Sequence, residues 1–141
     1  MDYSRSILVP HPHAPTLELV RSALAGQGFG IISEIDVRAT FAAKLGREAG
    51  DELGDYVILG ACNPQLARRA LAAEPQLGTL LPCNVVVRRG PADASTTVEA
   101  IDPQTMVQLS GSESVHAVAD DADARLRAAL AAIESGGAAA D

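Results

Sequence analysis

Gly60-Ala61-Cys62-Asn63-Pro64 and, further on, Leu80-Leu81-Pro82-Cys83-Asn84-Val85-Val86-Val87 hold both cysteines and the most apolar run of the chain. In each, a β-rich apolar segment reaches a Cys and then an Asn. Tyr56 to Ala61 reads as a strand with apolar residues on both faces, as an interior strand requires. Asn63 caps the helix that follows, because its side-chain carbonyl can accept the free N–H groups of a first turn. Pro64 then sits at the first helical position, where its missing N–H costs nothing. Leu66, Ala67, Ala70 and Leu71 supply that helix's buried stripe, and Pro75 closes it. Leu80 to Val87 reads as the longest apolar strand. Thr96 to Ile101 follows as another, and Arg88 to Ser95, with Gly90-Pro91 and Asp93, forms the hairpin loop between them.

Outward from this centre the periodicities continue. Ser6 to Val9 is a short strand stopped by Pro10, Pro12 and Pro15. From Thr16 the spacing of Leu17, Val20, Ala23 and Leu24 predicts a helix that Gly26 and Gly28 end. Phe29 to Ile35 reads as a strand, Asp36 as the cap of a helix from Val37 to Leu45, and the charged stretch Arg47 to Asp55 as a solvated loop. Asp102-Pro103 turns the chain. Ser110 with Glu113 has capping-box spacing, and Val115, Val118, Ala122, Leu126, Ala129, Leu130 and Ile133 form one face of a long last helix. The sum is α+β: a single mostly antiparallel sheet of about five strands, with four helices largely on one face. Residues 1–135 read as one domain and 136–141 as a frayed Ala/Gly tail. The uncovered sheet face makes a homodimer the simplest cover.

Composition narrows the function classes. At 141 residues the chain can bury roughly two thirds of its unfolded surface in one core. That core rests on aliphatic residues and Ala, since apolar residues are 48% of the chain and Trp is absent. Eighteen acids against eleven bases give a net charge of −7, which repels phosphate backbones and anionic lipid, so nucleic acid and membrane are not expected partners. Met1-Asp2-Tyr3-Ser4-Arg5-Ser6 lacks the apolar core of a leader, and no apolar run approaches the ~18 residues of a membrane span. The expectation is a cytoplasmic protein whose two cysteines are reduced thiols.

Cys83, after Pro82 at a strand start, is a candidate nucleophile, sulfur carrier or soft-metal ligand, and equally a small core residue. Cys62 precedes a helix N-terminus, a position that favours a thiolate. If their strands are neighbours, the two thiols meet at one sheet end as a redox pair or half of a metal site. The spacing between them is not a recognised ligand pattern. Asn63 and Asn84 satisfy backbone groups, or orient a small polar ligand at a pocket mouth. His11 and His13 flank Pro12, and in an extended segment both rings point the same way, as two metal ligands must. Exposed Pro-rich loops also carry such residues without function. Glu34 and Asp36 share a strand face as paired carboxylates, though Asp36 is better explained as a cap. His116 reads as a surface or interfacial residue. Gly26, Gly28 and Gly30 do not form a phosphate loop.

Gly28-Phe29-Gly30, Glu34-Ile35-Asp36-Val37, the two cysteine stretches and Ile101-Asp102-Pro103 together resemble the prokaryotic family known as domain of unknown function 302, over about residues 15–110. The resemblance implies a fold similar to half of the TATA-binding protein, and often a dimer. No catalytic residue carries over from it, and it leaves the cofactor open. The leading expectation is a dimeric module binding a small ligand where Cys62, Asn63, Pro82, Cys83 and Asn84 meet. The alternative is redox, sulfur-transfer or metal chemistry using Cys83 and Cys62, and the second alternative a purely structural interaction domain.

Overall fold

A computed structural model describes residues 2–136. Its strands are β1 (Ser4–Val9), β2 (Gly30–Asp36), β3 (Asp55–Cys62), β4 (Cys83–Arg89) and β5 (Thr96–Ile101). They form one sheet in the order β1-β5-β4-β3-β2, with every neighbouring pair antiparallel. The helices are α1 (His13–Gly26), α2 (Val37–Leu45), α3 (Arg47–Leu53), α4 (Pro64–Ala73), α5 (Gln104–Leu109) and α6 (Glu113–Glu134), with a 3-10 turn at Pro75–Leu80. The α+β reading holds, with two more helices than the periodicity showed.

Strand alternation sorts the core. Val57, Leu59 and Ala61 of β3, Cys83, Val85 and Val87 of β4, and Val98 and Ala100 of β5 all point to one face. There they meet Val20 and Leu24 of α1 and Leu126, Ala129, Leu130 and Ile133 of α6 in a single buried cluster. A second cluster joins Leu66 and Ala70 of α4, Leu77 of the 3-10 turn, Met106 of α5, and Val115, Val118, Ala119 and Ala122 from the first half of α6. One helix thus serves two cores with its two halves. The opposite sheet face leaves Leu8 69% exposed, Ile35 exposed, and Ile58 and Val86 half-buried.

Four readings of the sequence are corrected. The Arg47 to Asp55 stretch is a helix, α3, set off by Gly46 and Gly54, both at positive φ. Its charges lie on a solvated helix face, where Asp51 pairs at 3.0 Å with Arg38 of α2, which also reaches Asp55 at the start of β3 at 2.9 Å. Gly50 faces inward, because a Cβ there would stand 2.7 Å from the Arg38 carbonyl oxygen. The strand expected from Leu80 begins only at Cys83: Leu80 and Leu81 pack on the second cluster, and Pro82, joined to Leu81 by a cis peptide, has no N–H for a ladder. The first helix starts at His13 rather than Thr16, since Pro15 falls in the first turn, where a free N–H is dispensable.

The expected capping box at Ser110 is absent. Ser112 precedes α6, while the Ser110 hydroxyl donates to Glu74 Oε1 at 2.9 Å and accepts from Ser112 N. The residues before it form α5. Asp36 caps α2 as read, accepting from Ala39 N at 2.9 Å. The expected frayed tail lies outside the described residues beyond Gly136.

Leu126 is 1% exposed against the sheet, so L126A should cost about 3 kcal/mol in urea unfolding through lost burial and the cavity left behind. L109A, at a side chain 70% exposed, should change stability by no more than about 0.5 kcal/mol.

Candidate functional site

The α4 entrance is built as the sequence demands. Asn63 Oδ1 accepts from Gln65 N and Leu66 N, both at 3.1 Å, with Pro64 at the first helical position. Capping holds α4 close to the end of β3, and the register sets Ala61 opposite Cys83 on β4. Between the sheet end, α4 and α6 lies a pocket of about 290 Å³. It falls on the seam of the two buried clusters: Ala61 and Cys83 belong to the first, and Leu66, Met106, Val118 and Ala122 to the second.

Of the residues expected to meet, Cys62, Asn63, Pro82 and Cys83 all line this pocket. Asn84 does not. It follows Cys83 in a strand, so its side chain turns to the opposite face, opposite Gly60, and is exposed. Gly60 cannot carry a side chain there, since a Cβ would collide with Ser33 Oγ and stand 2.9 Å from Pro82 Cγ.

The thiols differ in environment. Cys83 is 8% exposed, whereas Cys62, at the strand end, is partly open. Burial, with a smaller contribution from the neighbouring Cys62 sulfur, pushes the Cys83 thiol up to about 11. At neutral pH only about one Cys83 in ten thousand is therefore a thiolate. The two cysteines are offset by one residue across the β3–β4 pair, since it is Ala61 that stands opposite Cys83, and both remain free thiols.

The remaining candidates lie elsewhere. The His13 ring is 2.9 Å from the Val87 carbonyl oxygen, four residues along β4 from Cys83, and His13 opens a helix instead of an extended segment. The His11 carbonyl accepts from Thr96 Oγ1 at 2.7 Å. Among the described residues no three His, Cys, Asp or Glu side chains are grouped as metal ligands. Glu34 pairs with Arg21 and Asp36 caps α2, so the two carboxylates have separate tasks. His116 is exposed on α6.

Ile32 and Met106 are pocket residues that the sequence reading missed. Pairing shifts between Ile31 and Ser33, so Ile32 is an extra residue in β2, and the bulge presents it at the pocket mouth. No periodicity announces a bulge. Met106 comes from α5, whose six residues are too short to show a helical period.

The raised Cys83 value makes stability pH-dependent. The folded state keeps the thiol protonated, so its contribution is complete below the ordinary thiol value and is lost as pH rises toward about 11. Urea unfolding at pH 8 and 10.5 should therefore show a loss of about 2 kcal/mol in the native chain that C83A does not share.

Among the described residues no helix is long and apolar enough to cross a membrane. No curated protein matches the sequence. The fold is similar to the crystal structure of uncharacterized conserved protein DUF302 from Bacillus stearothermophilus, with a TM-score of 0.80 and 27% identity over 92% of this chain and 97% of that one. Residues 6–133 match the family described as domain of unknown function DUF302, a span that takes in most of β1 and nearly all of α6 beyond the 15–110 read from the motifs. With that match running from the first strand to the last buried turn of α6, the chain belongs to the DUF302 family.

Proposed function

We propose that this protein is a small-molecule-binding module whose pocket receives an apolar ligand or the apolar part of one. The observation that carries this reading is the pocket's chemistry: none of its sixteen lining residues is charged, and its polar side chains are the Asn63 amide and the two thiols. Binding sites for small molecules are concave and mostly apolar, with a few polar groups that fix orientation. Cys62, Asn63, Pro82 and Cys83 are the binding residues in this reading, and Asn84 is not.

The thiol alternative places a reactive sulfur at Cys83, and its buried, protonated state disfavours nucleophilic attack. Under the binding reading C83S keeps its ligand, whereas thiol chemistry is abolished by it. Reduced cysteines and the acidic surface accord with a cytoplasmic module.

Nile red, a neutral apolar dye, should bind the native protein at one per chain with a blue-shifted emission. A122L fills the pocket from α6 and should abolish that binding while leaving the circular dichroism spectrum unchanged. Equal binding by A122L, or none by the native chain, rules the pocket out as a ligand site.

A homodimer through the uncovered sheet face is part of the same reading, supported by the apolar row of Ile35, Ile58 and Val86 across β2, β3 and β4. Light scattering should give a dimer mass for the native chain and a monomer mass for I58E; a native monomer would leave that face without this role.

A further inference from the structure

Resting on the pocket reading above, we propose that the ligand is an amphiphile: an apolar chain occupies the pocket, and a singly charged anionic head, of the carboxylate class, sits outside it on Arg69 and Arg125. A second cavity of about 440 Å³ lies beside the first, and Asn63 and Leu66 line both. Asn63 and Leu66 therefore form the wall the two cavities share, and the proposed ligand spans them across the Asn63 side chain.

Their chemistry is opposite. The first has no charged residue, while the second holds Arg69, Arg125 and Asp121. The single carboxylate is shared by both cations: Arg125 Nε donates to Asp121 Oδ1 at 2.9 Å, and an Arg69 terminal nitrogen reaches Asp121 Oδ2 at 3.4 Å. Two guanidiniums against one carboxylate leave one positive charge unmatched, in a chain whose net charge is −7. Arg125 is further held by donating to the Gln27 carbonyl oxygen at 3.0 Å, so its position is set before any ligand arrives. Arg69 is half-exposed, and a guanidinium carries five N–H donors, of which Asp121 engages one.

Asn63 sits at the junction. Its carbonyl oxygen is occupied by the N–H groups of Gln65 and Leu66, which turns its amide nitrogen toward Gly28. That nitrogen would be only 3.0 Å, and an Arg125 terminal nitrogen 3.3 Å, from a Cβ at Gly28, so the missing side chain there is what lets the two donors stand this close to the backbone. A ligand passing from one cavity to the other meets donors at the junction and donors beyond it, which suits a carboxylate head and excludes a cationic one.

Calorimetric titration of the full chain with decanoate and with the neutral alcohol decanol, each below its micelle-forming concentration, separates head from tail. Decanoate should bind more tightly than decanol. R69Q, a surface change, should weaken decanoate about fivefold, leave decanol unchanged, and reduce the dependence of decanoate affinity on added salt. Equal affinities of the native chain for the two compounds, or an equal loss of both in R69Q, overturns the head-group site while the pocket reading stands. Failure of both compounds to bind, together with Nile red binding untouched by A122L, overturns the pocket as well.

Discussion

The packing of α6 is the constraint on which the rest depends. Its last turns, through Leu126, Ala129, Leu130 and Ile133, cover the sheet face made by β3, β4 and β5. Its first turns, through Val115, Val118, Ala119 and Ala122, instead hold α4, α5 and the 3-10 turn. A straight helix that closes two cores leaves a seam between them wherever the side chains are too short to fill it. At this seam they are short: Ala61, Ala70 and Ala122 stand where larger residues would close the gap. Interiors are close-packed, so an apolar gap of this size marks where the two packings fail to meet. The pocket follows from a core with no Trp and few large rings, organised around one long alanine-rich helix.

Three local devices then shape the rim. The Asn63 cap fixes the angle at which α4 leaves β3 and aims the amide nitrogen toward the second cavity. The bulge in β2 offers Ile32 to the mouth. Gly60 lets Ser33 and Pro82 approach the sheet more closely than any side chain would permit. Each depends on a residue type with a specific backbone reason, and together they bring groups from β2, β3, α4 and the start of β4 to one opening.

The electrostatics divide along the same boundary. Inside, desolvation holds the Cys83 thiol protonated, so sulfur behaves there as a small apolar group. Away from the pocket, charges are paired: Arg5 joins the buried Asp123 at 2.9 Å to tie β1 to α6, and Arg88 joins Glu99 at 2.6 Å across β4 and β5. Arg88 and its hydrogen bond hold the Glu99 carboxyl below the usual carboxylate range. At the α4 rim the apolar cavity adjoins one lined by Arg69 and Arg125.

Much of this was written locally in the chain. The Asn63-Pro64 and Asp36 caps, the β5 strand and the buried face of α6 were legible because capping and periodicity are short-range signals. The neighbouring placement of Cys62, Asn63, Pro82 and Cys83 followed from reading two apolar strands as partners. What was not legible depended on contacts distant in sequence. Whether Arg47–Leu53 is loop or helix turned on its packing against α2, and the start of β4 on whether Leu80 and Leu81 found a second core to join. The bulge at Ile32 and the turning away of Asn84 are matters of register, which a single strand's sequence does not contain. The sequence by itself determined the five strands, four of the helices, the Asn63 and Asp36 caps and the aliphatic character of the core. Only the tertiary structure decided that two clusters would meet imperfectly along α6, because a void is a property of how surfaces fit and belongs to no segment alone.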